Sequence, residues 1–233
     1  MGGHGFTIAA ATIPVMDSIL PVYKPVDVTS YDVIRAFKRA QHPTYKIGHG
    51  GTLDPFADGV LLLLLGKATK QMNELMQLPK TYRAVARLGA YSDTLDRTGV
   101  IDFRNKIQET RFTQAQLEAV KSQFIGEIEQ VIPDYSAAKV QGVPRYKLAR
   151  QGVALAEKRK KVTIYELRTT NYAQDTVTFE ATVSSGTYIR QLSYDIFKSL
   201  GVESYLESLT RTAIGPYRLD QCAQIDDFPT LLQ

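Results

Sequence analysis

The chain has 233 residues, of which 44% are hydrophobic and 22% are charged, so it can bury a sizeable core in one large domain or two small ones. Its Lys and Arg residues outnumber its Asp and Glu residues by 28 to 24, a mild basic excess that permits a polyanionic partner without requiring one. The one cysteine, Cys222, excludes an internal disulfide framework and has no metal-ligand spacing with the three histidines, so a reducing, cytoplasmic setting is expected.

The N-terminal residues differ from the rest of the chain in their pattern. The stretch FTIAAATIPVM is faintly similar to a secretion signal, but no Lys or Arg precedes it, so we interpret residues 1–16 as a loose tail. Residues 17–233 contain no linker, repeat or low-complexity tract, which favours a single domain. No stretch approaches the roughly 20 apolar residues of a membrane span, so no membrane association is expected.

The first half of the chain predicts strands and helices in alternation. Residues 19–24 predict a strand, and a helix capped by Thr29 or Ser30 follows and stops before Pro43. The continuous apolar run at residues 60–65 lies between two glycines, which predicts a strand buried on both faces. A helix over 68–78, a strand over 81–94 and a turn at Thr98 and Gly99 follow.

The second half predicts a hairpin between helices. Thr113 and Gln116 form a capping box for a helix that extends to residue 124, and a short helix ends at Gly152. Residues 158–172 and 175–188 predict a hairpin, because apolar positions alternate in the second of these segments. A helix over 189–200 is then closed by Gly201. The whole pattern predicts one mixed α/β domain of the α+β type.

Asp54 is the first candidate for chemistry, in the stretch KIGHGGTLDPFADG. On local grounds a structural Asp-Pro turn is the favoured reading, because Asp before Pro is common in turns. The neighbouring glycines and the apolar strand that follows favour a second reading, a reactive group on a rigidly held loop. Since no partner acid or metal ligand stands near it in the sequence, that reading suggests a nucleophile.

Three further residues have both a structural and a functional reading. His49 is either a donor that faces a ligand or a turn residue. Tyr82 lies in an alternating strand, where an aromatic ring is usually core but could stack on a planar base if it faced a cleft. Arg190 occupies the first turn of a predicted helix, where a cation is disfavoured. A carboxylate partner such as Asp54 would explain Arg190, and a solvated surface position is the alternative.

The basic residues predict contacts to a nucleic acid. The segment RYKLAR interleaves Tyr146 with three cations, a combination that fits phosphate contacts and base stacking, whereas the run KRKK is by itself more typical of a solvated surface. The candidate RNA contacts in these and neighbouring segments are Lys46, Arg145, Lys158, Arg159, Lys160 and Lys161.

With these residues identified, the chain closely resembles the TruB-type tRNA pseudouridine synthases from about Ile19 to Asp226. The resemblance rests on six ordered blocks: YKPVDVTSYDV, KIGHGGTLDPFADGVLLLLLGKATK, KTYRAVARLGAYSDTLDRTG, PDYSAAKVQGVPRYKLARQG, SSGTYIRQLSYDI and YLESLTRTAIGPY. It implies the pseudouridine synthase fold, with a long, largely antiparallel central sheet flanked by helices. It also implies isomerisation of a uridine in the T arm of tRNA, without cofactor or metal, by a monomer that uses no guide RNA.

The resemblance also assigns roles to individual residues. Asp54 matches the catalytic aspartate, Tyr82 the tyrosine that stacks on the target base, and Arg190 the arginine that pairs with the aspartate. The other implied substrate contacts and supports are Tyr188 in the motif of Arg190, His49 at the flipped-out nucleotide, and Lys24 with Pro25 beneath the active site. Because uracil must leave its ribose, turn and rejoin it through C5, the target nucleotide has to be extruded into a closed pocket.

The chain departs from the family pattern in two places. Thr210 replaces the first arginine of the usual Leu-Arg-Arg, which removes a charge that we expect to face RNA. The accessory RNA-binding domain called PUA, which follows the catalytic domain in many relatives, is not expected here, so tRNA affinity is expected to be weaker. Two other function classes remain open, a catalytically inactive RNA-binding protein and an N-glycoside hydrolase that releases free uracil.

Overall fold

The computed structural model describes residues 17–103 and 112–231. This part of the chain forms five α-helices, α1 (Ser30–Gln41), α2 (Met72–Gln77), α3 (Gln114–Ser122), α4 (Arg145–Arg150) and α5 (Ile189–Ser199). Its strands are β1 (Ile19–Lys24), β2 (Ile47–His49), β3 (Asp58–Leu65), β4 (Lys80–Leu88), β5 (Tyr91–Ser92), β6 (Ile101–Asp102), β7 (Gly126–Val131), β8 (Lys139–Val140), β9 (Val143–Pro144), β10 (Arg159–Tyr172), β11 (Thr176–Val183), β12 (Ser204–Ile214) and β13 (Tyr217–Arg218). Short 3-10 helices cover Gly66–Gln71, Leu219–Gln221 and Ile225–Asp227.

A nine-stranded sheet organises the described residues. Its main path runs in the order β1-β3-β12-β4-β11-β10-β7, while β2 pairs with β3 and β13 pairs with β12. All of these pairings are antiparallel except that of β12 with β3, in which Thr210 lies opposite Asp58 and Arg211 opposite Gly59. The expected mixed α/β fold with a long, largely antiparallel sheet is therefore confirmed.

Strand β3 lies between β1 and β12 in the sheet and also pairs with β2. Leu61, Leu63 and Leu65 pack on one face in a cluster with α1, and the residues between them pack on the other face in a cluster with Leu75 of α2. Six consecutive residues, 60–65, are at most 2% exposed, so the predicted strand buried on both faces is confirmed. The loop that precedes β3 is consequently attached to one of the most rigid parts of the molecule.

The helix ends follow the predicted capping chemistry. Thr29 is the N-cap of α1 and forms a capping box with Asp32, and Thr113 forms the predicted box with Gln116 at the start of α3. Helix α5 packs Leu192 and other apolar residues into the main core cluster, against β12 and β4. Among the helices of residues 17–103 and 112–231, we find none with the length and apolar character needed to cross a membrane.

Two predicted elements are divided in the structure. The helix expected over 68–78 is a 3-10 segment up to Gln71 followed by the short α2. The strand expected over 81–94 ends at Leu88, because Gly89 adopts φ +83° and its N–H donates to the carbonyl of Glu203 instead of continuing the ladder. The chain then turns, and this turn places residues 93–96 beside the start of α5.

Candidate active site

A cavity of about 290 Å³ lies where the loop before β3, strand β4, strand β12 and the segment leading into α5 meet. Asp54, Tyr82 and Tyr188 all line it, although they come from three separate blocks of the sequence. Arg190 follows directly after the lining residue Ile189 and lies behind this wall, where it is 3% exposed. The structure therefore brings together four of the residues that the sequence nominates.

The loop that carries Asp54 is fixed at both ends. The backbone N–H of Gly50 donates to the carbonyl of Leu62 at 2.9 Å, and the N–H of Leu53 donates to Oγ of Ser30 at 3.0 Å. The N–H of Ala57 donates to the backbone carbonyl of Asp54 at 3.1 Å, which is the turn expected of an Asp-Pro sequence. The structural and the reactive readings of Asp54 are thus compatible, because the turn holds the residue while its carboxylate faces the cavity.

Arg190 binds the carboxylate of Asp54. Its Nε donates to Oδ2 of Asp54 at 2.8 Å, its Nη1 to the carbonyl of Thr94 at 2.6 Å, and its Nη2 to the carbonyl of Tyr135 at 2.8 Å. One buried guanidinium therefore connects three loops that lie far apart in the sequence. A solvated surface position for Arg190 is excluded by this burial, and the partner carboxylate explains a cation in the first turn of α5.

Asp96 is a second carboxylate at the site that the sequence reasoning missed. Its Oδ2 lies 3.5 Å from Nε of Arg190, and the residue is 4% exposed. Thr94 and Thr98 donate to its Oδ1 through their hydroxyls, and Thr98 also through its backbone N–H. The sequence motif TLDRT signals a turn with an aspartate acceptor, but only the fold reveals its proximity to Arg190.

The two tyrosines occupy different walls of the cavity. Tyr82 is 9% exposed and lies on β4 opposite Arg211 of β12, so its ring is part of both the core and the cavity wall. Tyr188 precedes α5, and both its backbone N–H and its carbonyl are bound by the side chain of Gln130. The ring of Tyr82 is therefore buried in the cavity wall, whereas the ring of Tyr188 is half-buried and lies nearer the rim.

Lys24 supports the site from below and has no exposed surface. Its Nζ donates to the carbonyls of Pro25, Val28 and Pro55, at 2.7, 2.8 and 3.2 Å. Burial lowers the pKa of this lysine to about 8. Because Lys24 is 0% exposed, it supports the turn after Asp54 and offers no surface for a direct contact with RNA.

His49 lies on β2, two residues before the first cavity-lining residue of the loop, and is not part of the lining described above. Its Nδ1 is buried without a hydrogen-bond partner in the described part of the chain. Burial, and after it the positive charge of Arg211, lower the pKa of the imidazole, so the neutral form is favoured. Contact of His49 with a flipped-out nucleotide stays a prediction.

Arg211 holds the loop that carries Asp54 from the side of β12. The residue is 1% exposed, and its guanidinium donates to the carbonyls of Val60 at 2.8 Å, Gly51 at 3.3 Å and Thr52 at 3.4 Å. It thereby joins the start of β3 to the loop just before Asp54. The sequence reasoning used Arg211 only as the remaining arginine of a family motif and missed this role.

The basic residues divide into a buried one, a half-buried one and exposed ones. Arg145 is 2% exposed and donates to Asp134 and to the carbonyl of Ala156, so its burial contradicts the expected phosphate contact. Lys160 approaches the cavity, since its Nζ lies 4.4 Å from the ring centroid of Tyr188 and donates to the carbonyl of Gly186. The other predicted RNA contacts are exposed: Lys46, Lys158, Arg159 in a pair with Glu157, and Lys161 in a pair with Glu127.

A comparison with family models decides the relationship of the chain. The model described as TruB family pseudouridylate synthase (N terminal domain) matches residues 38–189. The chain belongs to this family. The match includes Asp54 and Tyr82 and ends one residue before Arg190, so the TruB-family assignment rests on more than the loop that carries Asp54.

Curated relatives support the same assignment over a longer stretch. A protein of Clostridium acetobutylicum named tRNA pseudouridine synthase B is 42% identical over 212 residues, which are 91% of this chain and 72% of that protein. A protein of Bordetella avium with the same name is 38% identical and covers 91% of this chain and 86% of its own length. The similarity to these TruB-family relatives therefore extends well beyond the matched family model.

Solved structures are similar in fold. A Cbf5-Nop10-Gar1 complex contains a chain that is 26% identical, with a TM-score of 0.71 and coverage of 94% of this chain. An H/ACA RNP bound to a substrate RNA containing 2'-deoxyuridine gives 24% identity and a TM-score of 0.65, which shows the fold alone. This TruB-family chain spans 60% and 59% of the lengths of those two chains.

Proposed function

We propose that this chain isomerises the uridine at position 55, in the T arm of tRNA, to pseudouridine. The observation that carries the proposal is the pair of Asp54 and Arg190, which are 2.8 Å apart at the wall of a cavity that Tyr82 also lines. Relatives named tRNA pseudouridine synthase B at 42% and 38% identity supply the substrate class.

The geometry fits the chemistry in three respects. The guanidinium of Arg190 orients the carboxylate of Asp54, which can then attack the nucleotide or promote departure of the base. The ring of Tyr82 offers a stacking surface for the extruded base. The cavity walls that Asp54, Tyr82 and Tyr188 form limit the escape of the detached uracil while it turns.

We propose that the enzyme acts as a cytoplasmic monomer on tRNA without a guide RNA. The relatives that carry the tRNA name are more similar in sequence than the chain of the Cbf5-Nop10-Gar1 complex, at 42% against 26% identity. We further propose that residues 17–233 form the catalytic domain and residues 1–16 a tail. Activity of the purified chain on a tRNA transcript, with no other RNA or protein present, tests guide independence, and its mass in solution tests the monomer.

The decisive experiment compares the wild type with Asp54→Asn on a tRNA transcript that carries tritium at C5 of uridine. Wild type is expected to release tritium and to place pseudouridine at one T-arm position, whereas Asp54→Asn is expected to lose both while it retains tRNA binding. Asp58→Asn is the matched control, because Asp58 is four residues away, binds the hydroxyl of Tyr23 at 2.6 Å and does not line the cavity.

The same assay separates the two other function classes. An RNA-binding protein without catalysis would release no tritium even as wild type. An N-glycoside hydrolase would yield free uracil, which chromatography of the products detects. Pseudouridine formation by Asp54→Asn at the wild-type rate would overturn the role assigned to this carboxylate.

A further inference from the structure

Two buried cations line the cavity and form an ion pair with neither of the carboxylates already described. They are Lys80, which is 6% exposed, and Arg211, which is 1% exposed. Lys80 lies on the same strand as Tyr82 and two residues before it, so both side chains leave β4 on the same face. Arg211 lies on the neighbouring β12, directly opposite Tyr82. The ring expected to stack on the base is therefore flanked by two positive charges.

Both cations are held by backbone carbonyls. Nζ of Lys80 donates to the carbonyls of Met76 and Leu78, the latter at 2.6 Å, at the C-terminal end of α2. Arg211 donates to the three loop carbonyls of residues 51, 52 and 60. Carbonyl dipoles fix the position of a cation without cancelling its net charge, and a third N–H of Lys80 has no partner in the described part of the chain.

Neither cation has a carboxylate partner among residues 17–103 and 112–231. In that part of the chain, the ion pairs at this site are those of Arg190 with Asp54 and with Asp96. Both carboxylates therefore compensate the charge of Arg190 and not that of Lys80 or Arg211. The charged group that acts on Lys80 is Arg211, which repels it. Two uncompensated positive charges in a largely buried wall are costly in isolation, which indicates that the cavity is built for an anionic occupant.

The reaction supplies such an occupant. When the N1–C1′ bond breaks heterolytically, its electron pair stays on uracil N1 and is delocalised over O2 and O4. The base then turns, the C5 electron pair forms the new bond to C1′, the C5 proton leaves to water or a basic group, and N1 takes up a proton, so that the product base is neutral. We propose that Lys80 and Arg211 stabilise the detached uracil anion in the cavity, an inference that rests on the proposed pseudouridine synthase activity. Fixed charges aimed at developing charge in a water-poor site are an effective source of catalysis.

A backbone phosphate is the alternative anion. The burial of both cations argues against it, because side chains that are 6% and 1% exposed offer little surface to the outside of an RNA strand. Cations that bind phosphate act on affinity and on its salt dependence. Cations that stabilise a leaving base act on the rate of bound RNA instead, so the two roles give different measurements.

The protonation of Lys80 gives the proposal a second consequence. Burial, followed by repulsion from Arg211, lowers the pKa of Lys80 to about 8. The cationic form is therefore present below this pH and is lost as the pH rises through it. The isomerisation rate of bound tRNA should fall over the same range, while an arginine at this position should keep its charge throughout.

The test is single-turnover isomerisation with enzyme in excess over a tRNA transcript, together with the Kd for the same RNA. Lys80→Met is expected to slow the bound step by roughly 10- to 100-fold with Kd unchanged. Lys80→Arg is expected to retain most of the rate and to show a smaller fall above about pH 8 than wild type; the fall that remains is assigned to Lys24, whose pKa is also about 8. The matched control is Lys121→Met, which neutralises another buried lysine, 3% exposed, that pairs with Glu118 outside the cavity and should leave the rate unchanged.

All variant rates are compared with that of an active wild type. The outcomes therefore test the roles of Lys80 and Arg211 separately from the proposed pseudouridine synthase activity. A wild-type rate in Lys80→Met, an equal loss in Lys80→Met and Lys80→Arg, or a loss confined to Kd would each overturn these roles. If Lys80→Met does not fold, the pH profiles of wild type and Lys80→Arg decide, and identical alkaline limbs would overturn the proposal. A wild type that forms no pseudouridine refutes the proposed function itself.

Discussion

Arg190 lies between two carboxylates that differ in their access to the cavity. The side chain of Asp54 is 38% exposed, whereas that of Asp96 is 6% exposed and bound by two threonines. When Asp54 engages a substrate, Arg190 therefore keeps one buried counter-charge. A buried guanidinium left without any carboxylate would be strongly destabilising, so under the proposed function Asp96 lets Asp54 react without disturbing the position of Arg190.

We predict that Asp96→Asn slows isomerisation by about tenfold or more, because the guanidinium of Arg190 then shifts relative to Asp54, and small misplacements at a reacting group are costly. The free energy of unfolding should fall by about 1–3 kcal/mol, since a buried acceptor and a charge partner are weakened together. Single-turnover rates and urea denaturation measure the two effects.

The control for this prediction is Asp175→Asn, which weakens another Asp–Arg pair, with Arg87, at the far end of β4. It should lose some stability and leave the isomerisation rate unchanged. An Asp96→Asn enzyme as fast as wild type would show that Asp54 and the carbonyls of Thr94 and Tyr135 orient Arg190 without Asp96.

At the scale of the elements, the parallel pairing of β3 with β12 determines where the loop that carries Asp54 ends. Gly59 adopts φ +111°, and a Cβ at this position would lie 2.2 Å from the backbone carbonyl oxygen of Arg211. The two strands can approach this closely only because residue 59 has no side chain. The same approach brings the guanidinium of Arg211 to the carbonyls of Gly51 and Thr52.

We predict that Gly59→Ala lowers the free energy of unfolding by about 3 kcal/mol or more, because it combines an unfavourable φ with a clash against rigid backbone. Gly51→Ala is a matched control: its φ is +109°, but a Cβ there meets no atom within 4 Å, so only the conformational cost of about 1 kcal/mol applies. Urea denaturation of both variants measures the difference, and equal losses would contradict the steric argument.

The elements themselves were largely predictable, because β3, β11 and the capped helices depend on local patterns of apolar and capping residues. The mixed α/β class followed from the pattern of elements, and Asp54 was a candidate on local grounds with a structural turn as the favoured reading; the resemblance to a known family supplied the long antiparallel sheet and the catalytic role of Asp54. The roles of Asp96, Lys80 and Arg211 could not be predicted in this way. Their partners are carbonyls or side chains brought close by the fold, as in the contact between Arg211 and Gly51 across 160 positions.

At the scale of the whole molecule, the basic excess is small, so RNA affinity must depend on where exposed cations lie. Strand β10 carries cations along its length, and these cations differ in whether a carboxylate neighbour balances their charge. Lys160, near its start, contacts the carbonyl of Gly186 and the ring of Tyr188 at the cavity. Arg168, farther along the same strand, pairs with Glu180. Because its charge is already balanced by a neighbour, Arg168 should add little to the attraction of RNA.

We therefore predict that Lys160→Gln weakens tRNA binding and lowers the slope of log K against log salt by about 1, as expected for the loss of one phosphate contact. Arg168→Gln removes the same charge from the same strand and should change neither the affinity nor the slope. Binding titrations of wild type and both variants over a range of salt concentrations measure these quantities. Equal slopes for Lys160→Gln and wild type would place this lysine among the solvated cations, with a role restricted to holding the ring of Tyr188.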